Sequence, residues 1–247
     1  MAPPPAFEDA TYMLYVLGEP GPEVSTDEFN NWYDNEHAPQ RATVPGILSA
    51  RRYKLSNSDP PAPGWLAVYE LTSPYVLKSK GYMELWKKQS QYERDLLNKC
   101  PNLNRREYKL YQRRSREDYP QRAKDPVEIK KKRVLQTIAL EPGAHSDMTD
   151  DDFDAWYHDE HLDDMHRVPG WLRSTRWVLQ DVKGPNMKEF SKSEMPPKFL
   201  AIHEYEDDSF RDTKEFKEAN NTPARLSIVP KLGKNAERGY WKLWKEF

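Results

Sequence analysis

The sequence contains the same pattern of residues twice, 124 positions apart, and this repeat limits the folds that the chain can adopt. Eight identical residues occur in one frame in both copies. The first copy consists of Phe29, Trp32, Tyr33, Glu36, His37, Val44, Pro45 and Gly46, and the second of Phe153, Trp156, Tyr157, Glu160, His161, Val168, Pro169 and Gly170. Because the whole chain has only eight tryptophans and six histidines, chance is a poor explanation. The pattern predicts a tandem duplication.

The segments on both sides of the pattern repeat as well. Before it, TYMLYVLGEPG matches VLQTIALEPG, each an apolar run that ends in Glu-Pro-Gly. After it, ILSARRYKL matches WLRSTRWVL, and GWLAVYELT matches KFLAIHEYE. Each half then has a helical segment and a closing strand, so the predicted order of elements in each half is β-α-β-β-α-β. This is the order of the ferredoxin-like unit, a four-stranded antiparallel sheet with two helices on one face.

Both predicted sheets have bulky residues on both faces, which suggests how they are buried. Tyr53 and Trp177 lie on one face, and Leu48 and Leu172 on the other. The helix-free faces of two such sheets can therefore bury each other. We predict an α+β fold in which two tandem ferredoxin-like domains, residues 1–115 and 132–247, form an α/β barrel within one chain. The charged segment 116–131, which contains two prolines, is predicted to be a linker.

Charge and hydropathy exclude several classes of function. The formal net charge of -2 gives no general attraction to nucleic acid or to anionic membranes. The sequence also lacks an apolar run long enough to span a bilayer and lacks a secretory signal. The single cysteine, Cys100, cannot form an internal disulfide, which suits a reducing compartment. We expect a cytoplasmic protein whose partner is a small-molecule substrate, not nucleic acid or membrane, and which could pair as a homodimer.

The repeated pattern predicts an amphipathic helix with a polar group in its apolar stripe. Ser25 can cap the first copy of the helix, and Thr149 the second. At about 100° per residue, Glu36 falls within the apolar stripe beside Tyr33, and His37 lies at its border. A carboxylate among aromatic rings needs a partner, and Arg52 on the next strand can supply one. The second copy repeats this arrangement with Tyr157, Glu160, His161 and Arg176.

Two interpretations of this cluster remain open from the sequence. In the first, Glu-Arg bridges only tie the helices to the sheets. In the second, Tyr, Glu and His lie on one turn beside an apolar cavity, which is the arrangement that general acid-base catalysis needs. The run HDEH from His158 to His161 also raises the question of a metal site. We expect no metal there, because a zinc-binding helix would need histidine in place of Tyr157 and because His158 points away from Glu160.

The first copy resembles a known family. His37-Ala38-Pro39, followed by Val44-Pro45-Gly46 and one strand later by Arg52-Tyr53, is similar to the EthD-type branch of the dimeric α/β-barrel superfamily. The second copy departs from this motif, because Leu162-Asp163 follows His161. The resemblance implies two ferredoxin-like domains that close into a barrel, with pockets between the sheet and the helices. It also implies relatives that are cofactor-free monooxygenases, decarboxylases, polyketide cyclases and isomerases, whose helical histidine corresponds to His37 and His161.

We therefore predict an enzyme that transforms a hydrophobic, oxygenated, aromatic or polyketide-like small molecule without an organic cofactor. General acid-base chemistry would serve decarboxylation, cyclisation, isomerisation or O2-dependent oxidation in secondary metabolism. The candidate catalytic residues are His161, Glu160, Tyr157, His203, His37, Glu36 and Tyr33, and the candidate substrate-binding residues are Arg52, Arg176, Trp32 and Trp156.

One difference between the halves predicts which of them is active. His203 stands on the third predicted strand of the second half, where the first half has Tyr69. A second imidazole facing the same pocket as His161 favours the second half as the active one. Two alternatives to the cofactor-independent enzyme are a haem-binding enzyme with two ferredoxin-like domains and a non-catalytic small-molecule-binding or stress-type protein.

Overall fold

The computed structural model describes residues 9–58, 63–100, 102–184, 188–191 and 195–247. The strands of this part of the chain are β1 Tyr12–Glu19, β2 Ile47–Ser58, β3 Trp65–Leu71, β4 Asn102–Ser115, β5 Val134–Leu140, β6 Trp171–Lys183, β7 Phe199–Tyr205 and β8 Glu237–Glu246. They pair antiparallel and close into a barrel in the order β1-β3-β2-β8-β5-β7-β6-β4. The prediction of a closed barrel in an α+β chain is therefore confirmed.

Helices connect the strands in both halves. The α-helices of the described residues are α1 Thr26–Trp32, α2 Ala38–Ala42, α3 Lys80–Lys87, α4 Gln91–Lys99, α5 Tyr119–Arg122, α6 Val127–Lys130, α7 Asp150–Trp156, α8 Leu162–His166, α9 Lys214–Ala219 and α10 Pro223–Ile228. A π turn, Tyr33–His37, joins α1 to α2, and a second one, Tyr157–His161, joins α7 to α8. Short 3-10 turns cover Pro74–Lys78, Asp208–Asp212 and Val229–Lys231. Among these described helices, none combines the length and the apolar character that crossing a bilayer requires.

The two halves contribute their strands in the same order. The first half supplies β4-β1-β3-β2 and the second supplies β8-β5-β7-β6. The halves are joined twice, by pairing of β2 with β8 and of β4 with β6. The barrel therefore closes through hydrogen bonds between strands that lie far apart in the sequence.

The barrel interior is an apolar core to which both halves contribute. Along β1, Met13, Tyr15 and Leu17 belong to the interior cluster, whereas Leu14 packs with the helix residue Phe29 on the other face. This alternation is the period of two that a strand imposes on its side chains. The interior cluster also contains Tyr53, Tyr108, Trp177 and Trp241. Because large side chains fill the interior, space for a ligand is left mainly between the sheet and the surrounding helices.

The segment between β4 and β5 folds against one end of the barrel. It contains α5 and α6, and the Tyr119 side chain is only 1% exposed. The Tyr119 hydroxyl donates to Glu204 Oε2 at 2.8 Å, and Arg133 Nη1 donates to Glu204 Oε1 at 2.9 Å. The predicted linker thus contains ordered helical structure, because the Tyr119 side chain is buried and bonded to Glu204 on β7.

The two glycines of the repeated Val-Pro-Gly turns offer a matched test of packing. Gly46 has φ +93° and Gly170 has φ +82°, so alanine is strained at both positions, at a cost of about 1–2 kcal/mol. A Cβ on Gly46 would also lie 2.6 Å from Val76 Cγ2, whereas the nearest atoms to a Cβ on Gly170 are 3.8 Å away. We expect both alanine variants to be less stable in urea unfolding, and Gly46→Ala to lose about 1–3 kcal/mol more. Equal losses would contradict this packing difference.

Candidate active site

Both copies of the repeated pattern begin as capped α-helices. Ser25 Oγ accepts the backbone N–H of Glu28 at 3.1 Å, and Thr149 forms a reciprocal capping box with Asp152. The predicted helix starts are thus confirmed. The helices then change their hydrogen-bond pattern, which the sequence did not predict. The N–H of Ala38 donates to the carbonyl oxygen of Tyr33, five residues earlier, as a π turn requires.

The π turn changes which residues face the sheet in the first half. Because it takes more residues per turn than an α-helix, His37 returns to the side of Tyr33, with ring centroids 4.8 Å apart. Glu36 is displaced from the apolar stripe, is half-buried and accepts the Ser90 hydroxyl at 2.6 Å. The prediction that Glu36 lies in the middle of the apolar stripe is therefore wrong, because it assumed an uninterrupted α-helix.

In the second half, the π turn exchanges the positions of the histidine and the glutamate in the same way, and the exchange is more complete. Its π turn is closed by the N–H of Leu162, which donates to the carbonyl oxygen of Tyr157. His161 is 6% exposed and stacks on Trp156, with ring centroids 4.8 Å apart. Glu160 is exposed. The buried position predicted for Glu160 is therefore also wrong, and the histidine, not the glutamate, faces the interior of the domain.

Arg52 is bonded to residues of the helical segment and does not form the predicted pair with Glu36. Its guanidinium bonds the Asp34 carboxylate and, at 2.8 Å, the Asn30 side chain. It also lies 4.4 Å from the centre of the Tyr33 ring, a cation-π distance. Arg52 is buried and is not among the residues that line the cavity beside Tyr33. A role in holding a substrate carboxylate would require these contacts to break.

Arg176 occupies the equivalent place in the second half. It donates to Asp154 at 2.6 Å and to Gln112 at 3.2 Å, and it lies 4.4 Å from the centre of the Tyr157 ring. It does not pair with the exposed Glu160. The pairs predicted for both glutamates are therefore wrong, because Arg52 and Arg176 bond to other residues of the helical segments, Asp34 and Asp154.

A cavity of about 80 Å³, partly open to solvent, lies between the sheet and the helices of the first half; we call it the first pocket. Its apolar walls include Leu14, Val16, Trp86, Leu97 and Leu103. Trp32, Tyr33, His37 and Tyr69 also line it. This location agrees with the pockets that the family resemblance implied.

Three polar groups of the first pocket lack strong partners. In the described part of the chain, the Trp32 indole nitrogen and the Tyr33 and Tyr69 hydroxyls form no hydrogen bond of good geometry, although the two hydroxyls are close enough to interact with each other. Burial raises the pKa of both tyrosines, so both hydroxyls stay protonated and can donate. Buried polar groups are costly when unsatisfied, so a bound molecule with oxygen atoms would stabilise this site.

His37 forms a buried pair with a carboxylate of the second helical segment. Its Nδ1 lies 2.6 Å from Oε1 of Glu93, which is 1% exposed. Burial, together with the Arg41 and Arg52 guanidinium groups, holds the pKa of His37 well below its usual value. Burial raises the pKa of Glu93, and the Arg41 charge opposes this rise. Near neutral pH, Nδ1–H of a neutral imidazole donates to the Glu93 carboxylate, which leaves Nε2 available to the pocket.

Sequence reasoning missed Glu93 for a physical reason. The run Ser90-Gln-Tyr-Glu93 has the pattern of a helix capping box, and Ser90 Oγ does accept the Glu93 backbone N–H at 2.9 Å. The Glu93 side chain turns to His37, 56 residues away, rather than back to Ser90. Only the packing of α4 against the π turn reveals this pair.

The second half has its own cavity, of about 50 Å³ and partly open to solvent; we call it the second pocket. His161, Tyr157 and Trp156 line it in the positions equivalent to those of the first pocket. In the part of the chain that the structure describes, His161 has no carboxylate partner like that of His37. The position equivalent to Glu93, three residues after the helix cap Thr222, is Arg225.

His203 does not contribute an imidazole to the second pocket. It is completely buried, its Nε2 lies 3.1 Å from the Tyr157 hydroxyl, and its Nδ1 lies 2.8 Å from Ser174 Oγ. Both ring nitrogens are therefore occupied. The expectation that His203 and His161 face the same pocket is wrong, because the strand directs His203 into a hydrogen-bonded site behind Tyr157.

Comparisons with known proteins support the fold. No protein-family model matches the sequence, and no curated protein matches it. Among solved structures, an anthrone oxidase-like protein is similar with a TM-score of 0.59 and 12% identity, over 98% of this chain and 95% of that one. A candidate monooxygenase from Fusobacterium nucleatum subsp. nucleatum is similar with a TM-score of 0.55 and 10% identity, over 96% and 94% of the two chains. At these identities the similarity shows a shared α/β-barrel fold.

The buried His203 predicts a pH dependence of stability. Burial lowers the pKa of His203 to about 3, whereas a histidine in the unfolded chain has a pKa of about 6.5. Between these values the unfolded chain binds a proton that the folded chain does not, so stability falls as the pH falls. We expect His203→Asn to remove about 1 kcal/mol per pH unit from the slope of the unfolding free energy between pH 6 and 4.

The measurement is urea unfolding of both proteins at pH 7, 6, 5 and 4. His145→Asn, at an exposed position, is the matched control, and its slope should equal that of the original chain. Since His203→Asn also loses hydrogen bonds at every pH, only the slopes are compared. Parallel curves for His203→Asn and the original chain would contradict the prediction.

Proposed function

We propose that the first pocket is the active site of a cofactor-independent enzyme that acts on a hydrophobic, oxygenated, aromatic or polyketide-like molecule. The observation that carries this proposal is the His37–Glu93 pair, at 2.6 Å, beside an apolar cavity. A neutral imidazole held by a carboxylate at one nitrogen is suited to accept a proton at the other. We therefore favour the first half as the active one, in contrast to the preference drawn from His203.

The roles of the residues follow from their positions. His37 Nε2 would accept a proton from a phenol, an enol or a carbon next to a carbonyl group, and the substrate would become an anion. Glu93 would stabilise the imidazolium that forms. The Tyr33 and Tyr69 hydroxyls and the Trp32 N–H would donate hydrogen bonds to the developing oxyanion, which is the kind of charge stabilisation that contributes most to many enzymatic reactions.

Several reactions pass through such an anion. O2-dependent oxidation, decarboxylation, cyclisation and isomerisation of aromatic substrates all use a stabilised phenolate, enolate or carbanion. The names of the two similar structures, an anthrone oxidase-like protein and a candidate monooxygenase, support oxidation by O2 as the first reaction to test. In that reaction O2 would accept the electrons of the carbanion, and no organic cofactor would be needed.

We also infer that the chain consists of two ferredoxin-like units in tandem, residues 1–115 and 132–247, that arose by duplication. The equal strand order of the halves and the two π turns 124 residues apart support this inference. The His37-Ala38-Pro39 motif supports an EthD-type origin for the first unit. The duplication would have allowed one pocket to keep catalysis while the other diverged.

Substitution of the two equivalent histidines tests which pocket is active. Oxygen consumption and product formation are measured with anthrone and related phenolic substrates for His37→Ala and His161→Ala. We expect His37→Ala to lower kcat/KM about 10²–10⁴-fold, the range for loss of a general base. His161→Ala should stay within a few-fold of the original chain. Full activity of His37→Ala, or loss confined to His161→Ala, would contradict the proposal.

Glu93→Gln tests whether Glu93 orients the imidazole of His37 and favours its protonated form. The glutamine keeps the size of the side chain but removes the charge that favours imidazolium, so the His37 pKa should fall further. We expect kcat/KM to fall about 10-fold or more and the acidic limb of its pH profile to move to lower pH. Glu36→Gln, on the same π turn but outside the pocket, is the control. A uniform loss with an unmoved acidic limb would indicate that Glu93 is only structural.

A further inference from the structure

The second pocket differs from the first in how its arginines are balanced by carboxylates. Arg41 and Arg105 line the first pocket, where the Glu93 and Glu107 carboxylates offset their charges. Two replacements produce this difference. Glu93 in the first half corresponds to Arg225, because the N–H of each donates to the helix-capping hydroxyl, of Ser90 at 2.9 Å and of Thr222 at 3.2 Å. Arg225 lines the second pocket. A carboxylate beside the histidine has thus been replaced by a guanidinium.

The second replacement removes the carboxylate that would pair with an arginine of this pocket. Arg105 in the first half and Arg238 in the second have equivalent places, opposite Val16 on β1 and Ile138 on β5. Arg105 forms an ion pair with Glu107 at 2.9 Å. Two residues after Arg238 the chain has Tyr240, so no carboxylate takes that place. Within the described ranges, neither Arg238 nor Arg225 is found in an ion pair, and the charged neighbour that acts on Arg225 is Arg238.

The interior of the second pocket also has polar groups without partners. The Trp156 indole nitrogen, His161 Nδ1 and Gln136 Oε1 form no hydrogen bond among the residues that the structure describes. All three side chains are more than nine-tenths buried and line the cavity. The remaining walls are apolar and include Leu140 and Phe216. The cavity therefore combines two guanidinium groups, buried donors and apolar walls.

We propose that the second pocket binds an organic carboxylate with an apolar body. Two neighbouring guanidinium groups without a counter-ion repel each other, and an anion between them removes that repulsion. The planar fork of arginine matches a carboxylate in two-point hydrogen bonding. The apolar walls favour an organic acid over inorganic phosphate, which has no apolar surface to bury. The site is separate from the proposed base at His37.

The experiment compares two probes of equal shape. Binding of 2-naphthoate and of its neutral amide, 2-naphthamide, is measured by isothermal titration calorimetry on the full chain. We expect 2-naphthoate to bind at least 10-fold more tightly than 2-naphthamide and its affinity to fall as salt is raised. Inorganic phosphate at the same concentration should compete weakly. Equal affinity for the amide, or full displacement by phosphate, would overturn the proposal.

Single substitutions locate the binding site. Arg225→Met and Arg238→Met should each weaken 2-naphthoate binding at least 10-fold, and Arg225→Lys should give an intermediate affinity because it keeps the charge and loses the fork. Arg105→Met, at the equivalent position of the first pocket, is the matched control and should leave binding unchanged. Circular dichroism checks that each variant is folded. Binding that depends on Arg105 and not on Arg225 or Arg238 would overturn the proposal.

Discussion

Closure of the sheet into a barrel is the constraint on which the rest of the structure depends. Each half brings a sheet with two apolar faces, and neither face can remain in water. Closing the barrel buries one face of each sheet against the other, through the pairing of β2 with β8 and of β4 with β6. The helices then cover only the outer faces. Since large aromatic residues fill the interior, pockets form mainly under the helices, and each half has one.

The π turns determine which side chains these pockets receive. In a regular α-helix His37 would lie at the border of the apolar stripe, and Glu36 would be inside it. The π turn exchanges these positions, because it returns the fourth residue after Tyr33 to the side of Tyr33. Arg52, on the sheet, packs against the first π turn, with its guanidinium 4.4 Å from the centre of the Tyr33 ring. An arginine holding a tyrosine thus helps to set the direction of a histidine.

More of the fold than of the candidate site could be predicted from the sequence. Eight identities in one frame, the caps at Ser25 and Thr149 and the bulky residues on both faces of each predicted sheet predicted the elements and the closed barrel. Both π turns escaped prediction, because the runs YDNEH and YHDEH contain no glycine or proline to mark a change in the helix. Glu93 escaped because its contact with His37 joins residues 56 positions apart. Periodicity describes one element at a time, whereas the site is made by contacts between elements.

At one equivalent position, the two pockets have side chains of opposite charge. The residue three places after the cap of the last helical segment is Glu93 in the first half and Arg225 in the second. Beside a neutral imidazole, a carboxylate favours proton uptake, whereas a guanidinium opposes it and attracts an anion. Burial, together with the Arg225, Arg176 and Arg238 guanidinium groups, lowers the pKa of His161 to about 3. In the described residues, His161 has no carboxylate partner that would stabilise its imidazolium as Glu93 can stabilise that of His37. A scaffold that holds a histidine equally in both halves can therefore support proton transfer in one pocket and anion binding in the other.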